Sequence, residues 1–305
     1  MIYTCTLNPS IDYILHLDHF TAGGLNRGEN PHYFPGGKGI NVSRLLKTLG
    51  ISSTALGFTG GFTGSFIKDA LESEAIKTDF IEVDGTTRIN LKLKAADETE
   101  INGPGPVISD RNKQQLLDQI EQLTDHDTLV LAGSLAKALP DDFYKTMVKT
   151  ANQHDVKIVL DTSSEALKAM IGSPLFLVKP NHHELAELYD TTISSSAEAI
   201  TYGKKLLNEG ITHVLISMGG AGAVYLHDDV AYTAKAPVGD VLNTVGAGDS
   251  TVAGFLAGIE QGLSNDECFR LAVASGSATA FSHDLATKKD VEALLPKIDV
   301  VETTL

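Results

Sequence analysis

A glycine-rich segment that ends in an aspartate lies near the end of the chain, at Asn243-Thr-Val-Gly-Ala-Gly-Asp249. A helix is predicted over residues 249–260, because apolar residues follow at the spacing of one helix face. Gly246, Ala247 and Gly248 would bring backbone N–H groups to the positive end of this helix, where anions bind. Asp249 could then accept a hydroxyl proton while those N–H groups stabilise a transferring phosphoryl group. The competing interpretation is a helix cap with a tight turn and no chemistry.

A second glycine-rich helix entry lies near the N-terminus, at Pro35-Gly-Gly-Lys-Gly-Ile-Asn41. It is not a Walker A phosphate loop, because Lys38 is followed by Gly39 and the four-residue spacer is missing. One cation in a glycine-rich turn suits the binding of sugar hydroxyls or of an anionic group. The alternative is a structural turn with an exposed lysine.

Two further segments follow predicted strands. In Leu177-Val-Lys-Pro-Asn-His-His-Glu184, Asn181 and Glu184 have the spacing of a helix capping box, and the same pair could lie near a magnesium ion or its waters. Ser217-Met-Gly-Gly-Ala-Gly222 lacks a GxGxxG pattern and precedes a strand, which excludes a dinucleotide fingerprint. It could still form a loop that passes close to nucleotide phosphates, at the edge where open α/β sheets bind ligands.

Residues 87–94 alternate strictly between polar and apolar side chains, which predicts a half-exposed strand. Arg88, Asn90 and Lys92 share its polar face. Such a face is usually solvated, but arginine is also the usual bidentate partner of a phosphate group. The strand could therefore either cover a surface or bind an anion.

Short apolar strands alternate with amphipathic helices along most of the chain, which predicts an α/β fold with an open, mainly parallel sheet and helices on both faces. Residues 12–34 and 86–104 interrupt this pattern, and we interpret them as a small β-sheet lid on a single domain of residues 1–305. The predicted strands are 2–7, 54–58, 128–132, 157–161, 175–178, 213–217 and 223–226; the other predicted helices are 40–49, 110–124, 141–153, 197–209 and 265–281.

The 305 residues carry a formal net charge of −15, which disfavours nucleic acid and anionic membrane surfaces as partners. An anionic ligand would then need cations concentrated in its own cleft. The only two cysteines, Cys5 and Cys268, do not indicate a disulfide framework or a zinc site. No segment reaches the roughly 20 apolar residues of a membrane span, and the N-terminus has no basic leader, so we expect a cytoplasmic protein.

Together these motifs resemble the PfkB/ribokinase family of sugar kinases over nearly the whole chain. Gly36-Gly37-Lys38-Gly39-Ile-Asn41 is similar to the N-terminal signature of the family, and residues 243–249 are similar to its C-terminal signature, with Asn243 where many members have aspartate. The start at residues 6–12, and the segments 87–93, 100–106 and 178–181, resemble the phosphosugar branch. Within that branch, Thr87-Arg-Ile-Asn-Leu-Lys most resembles the enzymes that act on fructose 1-phosphate.

The resemblance implies a ribokinase-like sheet with a lid, and transfer from ATP, with Mg²⁺, to fructose 1-phosphate. It implies that Asp249 is the base and that Gly246, Ala247 and Gly248 form the anion hole. The implied sugar ligands are Asp12, Gly37, Lys38 and Asn41, with Arg88 and Asn90 on the existing phosphate. The implied ATP ligands are Lys179, Asn181, Ser217, Gly219, Gly220 and Gly222, with Ala274 and Ser277 near adenine and Glu184 holding magnesium through water.

Two alternatives remain open from the sequence. The acceptor could be tagatose 6-phosphate or an unphosphorylated ribose-like sugar, although the cations at Arg88 and Lys92 argue against a neutral acceptor. The chain could also be a non-catalytic phosphosugar sensor, but both the base and the glycines of the anion hole are present. Lids in this family often form subunit contacts, so the resemblance also implies a homodimer.

Overall fold

The computed structural model describes residues 1–305 as two β-sheets surrounded by helices. The strands are β1 (Ile2–Thr6), β2 (Ser10–His16), β3 (Glu29–Gly36), β4 (Ser53–Thr59), β5 (Lys77–Glu82), β6 (Arg88–Lys94), β7 (Glu98–Asn102), β8 (Thr128–Ala132), β9 (Lys157–Asp161), β10 (Leu175–Val178), β11 (Ile211–Ser217), β12 (Ala223–His227), β13 (Val230–Ala234) and β14 (Val300–Thr304). The α-helices are α1 (Lys38–Thr48), α2 (Gly61–Ser73), α3 (Asp110–Glu121), α4 (Phe143–Asn152), α5 (Ser164–Met170), α6 (His182–Leu188), α7 (Ser196–Asn208), α8 (Ala247–Glu260), α9 (Asn265–Ala280) and α10 (Lys288–Leu294).

The large sheet has the strand order β14-β13-β12-β11-β10-β9-β8-β1-β4-β5. Its strands from β11 to β5 run parallel, whereas β12, β13 and β14 form an antiparallel edge. The predicted open, mainly parallel sheet is therefore confirmed. None of the helices combines the length and the apolar character that a membrane span requires.

The alternation of side chains along each central strand divides the interior into two cores. On β8, Leu129 and Leu131 belong to one core, and Val130 and Ala132 belong to the other. Successive side chains of a strand point to opposite faces, so a strand buried on both faces must be apolar at every position. Helices α3 to α7 cover the first face of the sheet, and α1, α8, α9 and α10 cover the second.

The small sheet has the order β3-β2-β6-β7 and is formed by the two segments from which the sequence predicts a lid. Its central pair, β2 and β6, is parallel, and the outer pairs are antiparallel. The polar face of β6 points inward: Asn90 is 8% exposed and Lys92 is 6% exposed, whereas the intervening Ile89 is 41% exposed. Because the polar side chains are buried, this strand covers a polar interior and does not display a solvated face.

Several elements were not predicted from the sequence. Strand β5 is mostly exposed and begins with three consecutive polar residues, Lys77, Thr78 and Asp79, so its composition resembles a loop. Helix α2 begins with Gly-Phe-Thr-Gly, which has a low helix propensity, and its stability comes from packing Ile67 and Leu71 beneath the lid. Strand β14 is the largely exposed edge of the large sheet and has a weak hydrophobic signal, whereas the neighbouring β13 is apolar and mostly buried.

Candidate active site

A cavity of about 590 Å³ lies between the carboxyl ends of the parallel strands and the inner face of the lid. Ala132 and Val245 are the only hydrophobic residues that line it. Such a wall suits a polar, charged ligand, and open parallel sheets bind ligands at this edge. The cavity brings together most of the predicted site residues, namely Asp12, Gly37, Lys38, Asn41, Arg88, Asn90, Lys179, Asn181, Glu184, Ser217, Gly246, Gly248 and Asp249.

Asp249 lies in the first turn of α8 and is 5% exposed. Its Oδ2 accepts a hydrogen bond of 2.8 Å from Nδ2 of Asn41, which lies in the first turn of α1. Burial, and then the negative charge of Asp161, raise the pKa of Asp249 to about 6. The side chain is therefore mostly ionised at neutral pH, and it is more basic than an exposed aspartate with its usual pKa of about 3.9.

Free backbone N–H groups lie at the same helix end as this carboxylate. Gly246 precedes α8 with a φ of 80°, a left-handed conformation that glycine adopts without strain. The N–H groups of Gly248 and Asp249 donate no hydrogen bond, as expected at a helix N-terminus. The N–H of Ala247 lies 3.3 Å from the carbonyl of Thr244, and Ala247 does not line the cavity. The sequence predicted donors at Gly246, Ala247 and Gly248. In the structure the N–H of Ala247 is used in the turn, and the N–H of Asp249 is free in its place.

Asp161, the last residue of β9, lines the cavity and was not predicted. Its side chain is fully buried, and its Oδ1 contacts Nζ of Lys38 at 3.0 Å and Nζ of Lys179 at 3.4 Å. Burial alone would raise the pKa of Asp161, but the two lysines hold it below its usual value. Its position at the carboxyl end of a strand was the only sequence signal for this residue.

The inner face of the lid holds a second ion pair, between Lys92 and Asp12. Nζ of Lys92 lies 3.1 Å from Oδ2 of Asp12, and both side chains are largely buried. Asn90 donates hydrogen bonds to Oδ1 of Asp12 at 3.2 Å and to Ser10 at 3.0 Å. The sequence placed Lys92 on the polar face of β6 but did not include it among the substrate-binding residues. The alternation of polar and apolar residues does not reveal that the polar face points into the cavity.

Arg88 differs from the other cations of the cavity because no carboxylate contacts it closely. Lys38 and Lys179 are paired with Asp161, and Lys92 with Asp12. The Arg88 guanidinium donates only to the backbone carbonyl of Asn8, through Nη2 at 2.9 Å and Nε at 3.2 Å. Its remaining N–H groups can therefore bind an anion in the cavity.

Asn181 and Glu184 form the capping box of α6. The Asn181 side chain accepts from the N–H groups of His183 and Glu184, and Oε2 of Glu184 accepts from the N–H of Asn181 at 2.8 Å. Both residues also line the cavity, so the structural role and the ligand role are compatible. Oε1 of Glu184 accepts no hydrogen bond.

The remaining predicted residues lie outside the cavity wall. Gly219 and Gly220 form an exposed turn after β11, next to Ser217. Gly222 is buried against the end of β13, where a Cβ would lie 2.0 Å from the carbonyl oxygen of Ala234. Ser277 is half-buried on α9. Ala274 is 0% exposed within the core between α8 and α9, and its role as an adenine contact stays a prediction.

Known proteins with this arrangement identify the family. Residues 6–292 match the pfkB family of carbohydrate kinases. The chain belongs to the pfkB family. It is therefore a carbohydrate kinase, and the sequence signatures at residues 36–41 and 243–249 both line one cavity, where they meet through the hydrogen bond between Asn41 and Asp249.

The pfkB members most similar to this chain include phosphosugar kinases. The 1-phosphofructokinase of Bacillus subtilis is 53% identical over 300 residues, covering 98% of this chain and 99% of that protein. The D-tagatose-1-phosphate kinase of Bacillus licheniformis is 41% identical, covering 98% and 99%. Phosphofructokinase-2 of Escherichia coli, solved with substrates and products, superposes with a TM-score of 0.93 at 28% identity, covering 97% and 98%; the same enzyme has also been solved in a tetrameric inhibited form.

Membership of the pfkB family implies ATP as the phosphoryl donor and, as a rule, Mg²⁺. The cavity fits both groups. Lys179 and the free N–H groups of Gly248 and Asp249 supply positive charge for phosphates, and the unpaired Oε1 of Glu184 is a carboxylate oxygen of the kind Mg²⁺ or its waters contact. No group of three or more His, Cys, Asp or Glu side chains is arranged as a metal cluster.

Proposed function

We propose that the protein transfers a phosphoryl group from ATP to fructose 1-phosphate, giving ADP and fructose 1,6-bisphosphate. The observation that carries the proposal is the unpaired guanidinium of Arg88 on the lid, in the same cavity as Asp249. A sugar that already carries a phosphate can place that phosphate at Arg88 and its free hydroxyl at Asp249. The 53% identity to a 1-phosphofructokinase supports the same acceptor.

In this mechanism the acceptor hydroxyl attacks the terminal phosphorus of ATP, and the bond to the ADP oxygen breaks. The hydroxyl proton passes to the Asp249 carboxylate, which Asn41 holds in place through its hydrogen bond. The N–H groups of Gly246, Gly248 and Asp249 stabilise charge on the transferring oxygens. Mg²⁺, held by Glu184 through water, would neutralise part of the phosphate charge.

The sugar hydroxyls would be bound by Asp12, Gly37, Lys38 and Asn41, and the existing phosphate by Arg88 and Asn90. The Nδ2 group of Asn90 would be shared between Asp12 and the phosphate, and its buried Oδ1, which has no hydrogen-bond partner, can accept a hydrogen bond from a sugar hydroxyl. We add Lys92 to this end of the cavity. Its ammonium group would be shared between Asp12 and the incoming phosphate.

The ATP phosphates would be bound by Lys179, Asn181 and Ser217, with the exposed turn of Gly219 and Gly220 alongside. Gly222 supports this turn without touching the nucleotide, since it is packed against β13. Ser277, at the half-buried surface of α9, remains the proposed adenine neighbour. Because ATP and phosphosugars are cytoplasmic metabolites, we propose a cytoplasmic location.

Tagatose 1-phosphate is a second candidate acceptor, favoured by the 41% identity to a D-tagatose-1-phosphate kinase. Fructose 1-phosphate and tagatose 1-phosphate differ in one hydroxyl configuration, so the same cations would serve both. Tagatose 6-phosphate, the alternative taken from the sequence, has less support, because that relative is named for a 1-phosphate.

An ADP-release assay with equal concentrations of fructose 1-phosphate, tagatose 1-phosphate, fructose 6-phosphate, tagatose 6-phosphate and ribose tests the proposal. We expect the highest kcat/KM with fructose 1-phosphate. A preference for ribose would overturn the phosphate-binding role of Arg88. Phosphosugar binding without ADP release from any acceptor would instead indicate a sensor.

We also propose a homodimer through the outer face of the lid. That face carries Tyr13 stacked on Tyr33 at 4.6 Å, together with Ile89 and Ile101. Tyr33 and Ile101 are each 54% exposed, which is unusual for large apolar side chains grouped on one sheet. A second copy of the same face would bury them, as expected of an isologous interface.

A further inference from the structure

Asp161 joins the two halves of the proposed site. Lys38 opens α1 on the side of the proposed sugar ligands, and Lys179 follows β10 on the side of the proposed ATP ligands. Both ammonium groups contact the same carboxylate oxygen, at 3.0 Å and 3.4 Å. One buried acidic side chain therefore fixes two cations that come from separate elements of the fold.

The position of Lys179 indicates what these cations do. Its Nζ lies 3.2 Å from the point where a Cβ on Gly248 would stand, so the ammonium group lies against the N-terminus of α8. The free N–H groups of Gly248 and Asp249 are at the same helix end. Charge that develops on a phosphoryl group in transit would meet both the backbone donors and this ammonium group.

Two lysine side chains would not remain together without an anion. Like charges repel, and a lysine has four rotatable bonds that allow it to turn toward water. In this cavity Asp161 supplies the compensating charge, and its own location between β9 and the helices excludes solvent. The position of the cations therefore depends on one carboxylate.

Fold stability does not account for this carboxylate. Oδ2 of Asp161 is buried and has no hydrogen-bond partner. A buried ion pair with an unsatisfied oxygen recovers little of its desolvation cost, and an apolar residue would serve the core as well or better. A buried aspartate here is better explained by the lysines that it holds.

We propose that Asp161 is a positioning residue that holds the ammonium groups of Lys38 and Lys179 at the point of phosphoryl transfer. The kinetic part of this proposal rests on the proposed function. The placement of the lysines does not, and it can be measured without any phosphosugar.

The direct test compares wild-type protein with Asp161→Asn by lysine acetylation with acetic anhydride, followed residue by residue with mass spectrometry. In the wild type, burial alone would lower the pKa of Lys38, but Asp161 and Asp249 raise it above its usual value. We expect Lys38 to be acetylated at least about tenfold more slowly than exposed Lys137, since one pKa unit changes the free-amine fraction tenfold. In Asp161→Asn the labelling of Lys38 should accelerate by about tenfold or more.

Asp127→Asn is the matched control. Asp127 lies just before β8 at the opposite edge of the same sheet, and its carboxylate pairs with the N-terminal ammonium group at 3.3 Å. Removal of that charge should leave the labelling of Lys38 unchanged. If Asp161→Asn does not fold, the wild-type comparison still decides, because equal labelling of Lys38 and Lys137 would overturn the proposal.

Kinetics provides the second test, with whichever phosphosugar the wild-type protein accepts. We expect kcat of Asp161→Asn to fall by about 10- to 100-fold, less than the loss of a direct anion-hole donor, and KM for both the phosphosugar and ATP to rise, because Lys38 and Lys179 are proposed ligands of the two substrates. Lys38→Met in the Asp161→Asn background should add less than it does alone, because Lys38 is already displaced. If the kcat losses of the two single variants multiply in the double variant, the proposal is contradicted. It is also contradicted if Asp161→Asn changes only the Mg²⁺ concentration needed for activity, because Asp161 would then be a metal ligand.

Discussion

Asp249 combines burial with a single strong hydrogen bond, and this determines its ionisation. Burial and the charge of Asp161 raise the pKa of Asp249 to about 6, while Asn41 and the two lysines oppose the shift. An aspartate exposed to water has a pKa of about 3.9. In the fold the group becomes a better proton acceptor and still remains largely ionised at pH 7.

We predict that kcat/KM of the wild-type protein rises with pH through about 6, because Asp249 must lose its proton before it can act as a base. Asp249→Asn should lower turnover by about 10²- to 10⁴-fold, the usual contribution of a general base, and should remove this limb of the profile. Binding of a fluorescent ATP analogue is the control and should be retained. Near-normal turnover of Asp249→Asn would exclude Asp249 from the mechanism.

Arg88 allows a second prediction at the residue scale, because Lys94 provides a control on the same face of the same strand. Lys94 carries the same charge, but it pairs with Glu98 at 2.7 Å and does not line the cavity. Arg88→Ala should raise KM for the phosphosugar by at least about tenfold and leave KM for ATP nearly unchanged, since a charged hydrogen bond contributes about 1.5–3 kcal/mol. Lys94→Ala should change neither constant. Equal increases in both constants for Arg88→Ala would indicate a structural strand.

At the scale of elements, the glycines after β11 have different roles. Gly219 and Gly220 lie in open space at the turn, whereas Gly222 has a φ of 106° and lies directly against β13. The sequence pattern treats these glycines as equivalent members of a phosphate loop. Only their surroundings in the fold separate the exposed turn from the packing position.

Gly222→Ala should reduce the free energy of unfolding by roughly 3 kcal/mol or more, from backbone strain together with a clash against Ala234. Gly172→Ala is the control, because Gly172 also has a positive φ, 86°, but its Cβ would meet nothing within 4 Å. That variant should lose only about 1 kcal/mol. Urea unfolding of both variants measures the difference, and equal losses would show that the clash is relieved.

At the scale of the whole molecule, the lid is a sheet with two functional faces. Its inner face is polar and belongs to the cavity, and its outer face carries the exposed apolar side chains of Tyr33, Ile89 and Ile101. This is the reverse of an ordinary surface sheet, in which the polar face meets water. The inversion accounts for both the binding of an anionic sugar and the proposed contact with a second copy.

Ile101→Asp should convert the proposed dimer into a monomer, because two charges would be buried at an isologous contact. Val301→Asp is the control: Val301 has similar exposure, 58% against 54%, but lies on β14 at the far edge of the large sheet. Sedimentation velocity measures the mass of both variants. A monomeric wild-type protein, or an Ile101→Asp variant that stays dimeric, would refute the interface.

Much of the fold could be predicted because it depends on local patterns. Strands β8, β9 and β10 have the predicted boundaries, since each is a short apolar run that must be buried on both faces. Strands β5, β13 and β14 were not predicted in this way. Strands β5 and β14 are largely polar and exposed, so their stability comes from pairing with a neighbour, whereas β13 is apolar enough that its own residues could have indicated a strand.

The sequence by itself determined the chemistry that the site can offer. The two glycine-rich helix entries, the aspartate of the second and the arginine of the lid strand are local signals, because helix ends and strand faces follow from residue spacing. Which groups meet was decided only by the tertiary structure. Asn41 and Asp249 are 208 residues apart, and Lys38 and Asp161 are 123 apart. Their contacts, the inward turn of the lid face and the raised pKa of Asp249 all arise from burial and charge placed by the fold, and no local pattern encodes them.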